Sequence, residues 1–210
     1  MLELILPPHE QASRALGSKR AGSCPKDWPG QYVPNFDDWL PGDIVLVERD
    51  EEGTGRSLEI GQTISFNRLM RAGSRWSHAA LYLGGGDIVE AIPRHGVVRR
   101  SIWNHCQTRA IRVRRLPSPV VTERMAQRVA DFAETFVGRR YSLKEVLRSK
   151  LVPNRRPDVM ELYCSTFIGL AVAGITQLML WDGPEQLPLY PAILAAHPDL
   201  ADVPLLWRHL

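Results

Sequence analysis

The stretch from Cys164 to Leu180 is apolar nearly all round a helical wheel. That feature constrains the fold more than any other in this 210-residue chain. A helix with no polar face has to be wrapped on every side. Its longest apolar run, Phe167 to Trp181, has 15 residues and includes Thr176 and Gln177. A membrane span needs about 18 or more. The run is therefore read as a buried central helix, and no transmembrane anchoring is expected. Hydrophobic residues make up 44% of the chain and charged residues 23%, enough to build a core around such a helix without covalent staples. The three cysteines, Cys24, Cys106 and Cys164, are too few and too far apart for a disulfide framework. No C-x-x-C pair is present to hold zinc.

The wrapping material is legible along the chain. Residues 1–40 are rich in Pro, Gly and Ser and read as an irregular N-terminal arm. Pro41-Gly42 opens a β-branched run, Asp43 to Val47, that reads as a strand. Ile60 to Ala72 reads as a short helix closed by Gly73. His78 to Leu83 and Asp87 to Ile92 are strand-like runs joined by Gly84-Gly85-Gly86, a hairpin signal. Ala110 to Arg114 alternates apolar and basic residues and reads as another strand. Thr122 to Val137 has Met125, Val129, Phe132, Ala133 and Phe136 on one face of a helix, with Gly138 as the stop. Residues 41–181 form the main domain. Residues 182–210, with five prolines at or after Pro184, read as a tail of loops and short helices packed on it. The expected fold class is α+β: a small antiparallel sheet packed against a central, cysteine-bearing helix.

Charge is unevenly spread. The net charge of +3 is too mild to require a polyanion. From Ala91 to Thr122 there are seven arginines and no acid, and from Pro157 to Leu210 six acids and one arginine. The two halves either complement one another, or the Arg-rich stretch at 94–115 is a stripe for anions such as lipid headgroups or cell-wall polymer. No nucleic-acid signature accompanies it, so nucleic acid is not an expected partner.

Cys164 opens the apolar helix. A helix N-terminus carries partial positive charge and unpaired N–H groups, and both favour a thiolate. The thiolate is the nucleophile, and it needs a base with an orienting partner. The alternative is that Cys164 is a small buried hydrophobe. If the hairpin turns on its three glycines, His78, Ala80, Glu90 and Ile92 share one face of the ribbon. His78 and Glu90 are then diagonal neighbours roughly 7–8 Å apart at Cα. A carboxylate there can fix the imidazole and stabilise its charged form. A slip of one residue would send Glu90 to the other face. Cys106 beside His105 is the rival pair, but neighbours on an extended chain point apart. No His/Cys/Asp cluster has metal-ligand spacing, so neither a metal nor any other cofactor is expected.

The order Pro41-Gly42-Asp43-Ile44-Val45-Leu46, Trp76-Ser77-His78-Ala79-Ala80-Leu81-Tyr82-Leu83-Gly84, Asp87-Ile88-Val89-Glu90-Ala91, Val137-Gly138-Arg139-Arg140-Tyr141 and Tyr163-Cys164-Ser165 resembles the circularly permuted branch of the NlpC/p60 superfamily of papain-like cysteine hydrolases. In that branch the histidine strand precedes the cysteine helix. The resemblance covers roughly residues 40–180. It implies a permuted papain-like topology and a triad of Cys164 as nucleophile, His78 as base and Glu90 as orienting residue. Trp76, Ser77 and Tyr163, which flank the histidine and the cysteine, become expected substrate contacts. Relatives often carry an acid soon after the Cys-Ser pair and Asp after the Gly-x-x-Tyr tyrosine. Here Thr166 and Phe167, and Ser142, stand in those places.

The implied activity is hydrolysis of an amide bond in peptidoglycan stem peptides. The implied alternatives are a lipid acyltransferase, amidase or thioesterase on the same site, and a non-catalytic cell-wall or lipid binding module. Met1-Leu2-Glu3-Leu4-Ile5-Leu6, ending at Pro7-Pro8, does not read as a cleavable signal. The expectation is synthesis in the cytoplasm and delivery to the periplasm of a target cell by a secretion system such as type VI. An antibacterial effector of that kind would have an immunity protein as partner.

Overall fold

A computed structural model describes residues 32–48, 75–92, 95–106, 109–141, 161–162, 164–178, 180 and 189–209. The architecture is α+β, a six-stranded antiparallel sheet with a few helices. The strands are β1 (Tyr32–Pro34), β2 (Ile44–Glu48), β3 (Trp76–Gly84), β4 (Asp87–Ile92), β5 (Gly96–Ser101) and β6 (Ile111–Arg115). They are followed by β7 (Arg140–Tyr141), β8 (Glu161–Leu162), β9 (Ala201–Val203) and β10 (Trp207–His209). The helices are α1 (Trp103–Cys106), α2 (Glu123–Glu134), α3 (Cys164–Thr176) and α4 (Pro191–Ala196). The main sheet runs β5-β4-β3-β2-β6-β9, with β1-β10 and β7-β8 as separate pairs. No helix among the described residues is long and apolar enough to cross a membrane.

The β3–β4 hairpin forms as the glycines require. Gly84, Gly85 and Gly86 have φ of 105°, 61° and 87°, a region closed to most side chains. Leu81 pairs with Val89 and Tyr82 with Ile88, the register that places His78 and Glu90 on one face. The register shifts at the turn, where Gly84 meets Asp87. Alternation along these strands feeds two cores. Ala79, Leu81, Val89 and Ala91 join the larger cluster, which α2, α3 and α4 cover with Val129, Phe167 and Leu194 among others. Ala80, Tyr82 and Ile88 join a second cluster on the opposite face, with Trp39, Ile102 and Cys106.

Helix α3 has eight buried residues, Cys164 to Gly169 with Ala171 and Val172. It stops at Thr176, short of Leu180, because Gln177 takes a φ of 60°. A Cβ at Gly174 would lie 2.9 Å from Phe132 Cε1, so the glycine lets α2 approach closely. Helix α2 starts where the pattern places it: Thr122 caps it by accepting from the Met125 N–H at 3.3 Å. It ends at Glu134, three residues before Val137.

Five elements differ from the sequence reading. Residues 96–101 form an edge strand where loop was expected, and 103–106 form a helical turn. The tail supplies two strands as well as a short helix, and β9 extends the main sheet. β1 lies within residues 1–40, read as irregular, and pairs with β10. The expected helix at Ile60 to Ala72 falls outside the described residues.

Candidate active site

Cys164 is the first residue of α3 and is 2% exposed. Its sulfur lies beside His78 and the backbone N–H groups of Ala79 and Ser165, all of which favour the thiolate. The local fold explains why Ala79 is available. The β3–β4 ladder ends at Leu81↔Val89, so the Ala79 N–H reaches the cysteine instead of β4. The helix start is tied down by Ser165, whose hydroxyl donates to the Leu189 carbonyl.

His78 and Glu90 meet on the sheet face opposite α2 and α4. His78 Nε2 lies 2.5 Å from Glu90 Oε2. With Nε2 committed to the carboxylate, Nδ1 is the ring nitrogen left for the thiol. Glu90 is fully buried and has two further partners. His105 Nε2 lies 2.7 Å from the same Oε2, and Arg100 Nη1 donates to Oε1 at 3.4 Å. The His78 and His105 rings are 5.4 Å apart at their centroids. Three elements besides the cysteine helix therefore converge on one carboxylate: β3, β5 and α1.

The electrostatics follow from that convergence. Burial opposes a charge on His78, but hydrogen bonds to Cys164 and Glu90 and their negative charge prevail, and its pKa is raised to about 10. Burial likewise pushes the Cys164 thiol up. The His78 hydrogen bond and charge, with the two backbone N–H groups, outweigh it and lower the thiol below its usual 9.0. Burial raises Glu90, and the hydrogen bonds from His105 and then His78 hold it far below the usual carboxylate range. His105 shifts the other way: burial lowers it, against the pull of Glu90, and the charges of His78 and Arg109 lower it further. The shifts run toward the charged form at His78, Cys164 and Glu90, and toward the neutral form at His105.

No protein-family model matches the chain, and no curated protein matches it. Among solved structures, the metalloprotein yiiX from Escherichia coli O157:H7, described as DUF1105, shares the fold with a TM-score of 0.53. The identity is 14%, and the match covers 78% of this chain and 96% of that one.

A metal can be tested against this chain's own residues. Donor atoms of His78, Glu90 and His105 lie within 4.8 Å of one another. A cation on both Nε2 atoms would leave each ring hydrogen on Nδ1. His105 Nδ1 is buried and has no hydrogen-bond partner among the described residues. Ligating histidines almost always donate from the other ring nitrogen, and a buried N–H without an acceptor costs about 1–3 kcal/mol. His105 Nδ1 is unpaired in either tautomer, so the distances decide: 2.5 and 2.7 Å from the two Nε2 atoms to one oxygen are direct hydrogen-bond separations, which two ring protons on one carboxylate give.

Of the expected site residues, Cys164, His78 and Glu90 come together. Trp76 lies in the larger core, 5% exposed, with the Arg75 guanidinium carbon 5.4 Å from its ring centroid. Ser77 is 7% exposed beside it, and Tyr163 falls outside the described residues. Cys106 belongs to the second core cluster and is fully buried. His105 is what the sequence reading passed over as a site member. The available signal was Ser101, whose hydroxyl accepts from the Trp103 N–H and starts the helical turn that aims His105 at Glu90. The Arg-rich stretch is largely matched by acids. Arg99 pairs with Asp87 and Glu134, Arg112 and Arg114 with Asp202, and Arg115 with Asp43.

Proposed function

We propose that this chain is a cysteine hydrolase of permuted papain-like plan that cleaves an amide bond, with peptidoglycan stem peptides as substrate. The observation that carries the reading is His78 set beside Cys164, close enough to favour its thiolate, with Glu90 2.5 Å behind the imidazole. Cys164 attacks the carbonyl as thiolate, and His78 delivers its proton to the leaving amine. His78 then takes a proton from the water that hydrolyses the acyl-enzyme. Glu90 stays ionised and steadies the imidazolium throughout. The Cys164 backbone N–H, at the helix start, is the natural first donor to the oxyanion. The choice of peptidoglycan rests on the resemblance in the sequence.

The test is mass analysis of muropeptides from purified sacculi after digestion by wild type and Cys164→Ala. The expected result is new cleaved stem peptides with wild type and none with the variant. An acyl-lipid release assay run beside it separates the lipid reading. Sacculi left intact with acyl lipids processed would transfer the chemistry to lipid, and activity in neither assay with an unreactive Cys164 would leave a binding module. Exhaustive chelation is expected to leave turnover in place. Loss that zinc restores would point instead to a metal at His78, Glu90 and His105, the chemistry suggested by the neighbour's description as a metalloprotein.

A further inference from the structure

We propose that His105 is a positioning residue of this site, donating from Nε2 to hold Glu90 ionised and aimed at His78. The inference rests on the cysteine-hydrolase reading and adds a fourth member to it. Geometry carries it. Both histidines approach the same carboxylate oxygen, His78 at 2.5 Å and His105 at 2.7 Å. An oxygen can accept from both only if each Nε2 bears a hydrogen. For His105 that tautomer leaves Nδ1 as a bare acceptor, which agrees with its burial away from any donor among the described residues. The opposite tautomer would bury an unpaired N–H and set two lone-pair-bearing atoms against each other at 2.7 Å.

The need for such a residue follows from the reaction cycle. Glu90 has no exposure to water, so its charge depends on donors within the fold. While His78 is charged it supplies one. When His78 has passed its Nδ1 proton to a leaving group, that charge disappears, and the buried carboxylate keeps three donors, of which only Arg100 at 3.4 Å is charged: the neutral ring's Nε2–H, Arg100 and His105. His105 is a donor that does not exchange its proton. It keeps Glu90 from taking the proton that the imidazole must recover. The charged and titratable groups facing this point are Glu90 on β4, His78 on β3, Arg100 on β5, Cys164 on α3 and, near His105, Arg109.

The sign of the pH effect is fixed. Removing the His105 donor raises the pKa of Glu90. A Glu90 no longer held against His78 supports the imidazolium less, and the thiolate with it. The acid limb of Cys164 reactivity therefore moves to higher pH. The experiment measures iodoacetamide alkylation of Cys164 against pH in the full chain, with Cys24 and Cys106 replaced by serine. His105→Phe keeps bulk without a donor, and His105→Gln keeps an N–H. The expected result is an acid limb displaced by about one pH unit in His105→Phe, the size of one lost hydrogen bond to a charge. His105→Gln should restore most of it. In a Glu90→Gln background, His105→Phe should add no further displacement, since it acts through that carboxylate. Superimposable acid limbs in wild type and His105→Phe, or a rate lowered equally at every pH, would overturn the inference and leave His105 as packing. If His105→Phe does not fold, a wild-type limb in folded His105→Ala does the same. Fast alkylation of Cys164 in the otherwise native protein is the separate control. Its absence would remove the hydrolase reading itself.

Discussion

Glu90 gives two carboxylate oxygens to three side chains, and on the proposed chemistry its charge sets how reactive Cys164 is. Glu90→Gln keeps an acceptor and loses the charge. His78 then loses part of the support that raises it to about 10, and the thiol loses its imidazolium partner. In wild type the reactive pair exists between the lowered thiol pKa and about pH 10, where His78 gives up its proton. In Glu90→Gln the acid limb of iodoacetamide alkylation should move up and the basic limb down, narrowing the window from both sides, with turnover strongly reduced. Superimposable curves would place Glu90 outside the chemistry. Much of this site was legible from residue types and parity: Cys164 at a helix start, His78 and Glu90 on one hairpin face. His105 was not, because its partner is set by a four-residue turn whose period is too short to show in a pattern. The neighbouring Cys106 turns the other way, into the second core cluster.

Helix α3 is the element that brings the two sides of the sheet into one site. Its body packs with the larger cluster, yet its first residue reaches a histidine that shares its parity with the opposite cluster. The early end of the β3–β4 ladder makes that reach possible. Anchoring the helix start is therefore a matter of packing one turn further on. Phe167 is fully buried, with its ring centroid 5.9 Å from that of Phe136. Phe167→Ala should cost about 3–5 kcal/mol of stability, read as a lower urea midpoint with unchanged slope. The hairpin and α2 were legible from their period, and α3 from its unbroken apolar run. Edge strand β5 was hidden because Arg99 and Arg100 break its alternation, their charges answering Asp87, Glu134 and Glu90. β9 and β10, three residues each, are too short for any period to be read.

Across the whole molecule, the lopsided charge of the sequence becomes a long-range tie. Asp202 on β9 takes Arg112 at 2.7 Å and Arg114 at 2.9 Å, both from β6. This is the complementary reading of the two charge blocks, one the sequence could pose but not decide, since the partners stand 88 and 90 positions apart. Burial raises the Asp202 carboxyl, but the two arginines hold it below its usual 3.8. A depressed acid contributes its stability above the unfolded value and loses it as pH falls through the folded one. Wild type should thus lose stability below about pH 4. Asp202→Asn should be less stable at neutral pH by about 1–2 kcal/mol, between an exposed pair and a fully buried one, because Asp202 is part-exposed and both guanidiniums keep a carbonyl partner. It should also show a flatter acid dependence, and equal slopes below pH 4 would mean the pair contributes nothing. A different long-range contact, β1 against β10, sets Tyr32 opposite His209, about 5 Å apart at Cα as in any antiparallel pair. A short peptide can bridge that gap. Joining position 209 to position 32 and opening the chain ahead of Cys164 is expected to keep this strand pair while the cysteine helix is made before the histidine strand. Wild-type alkylation of Cys164 in that permutant would make the order of synthesis and the shape of the site separable properties.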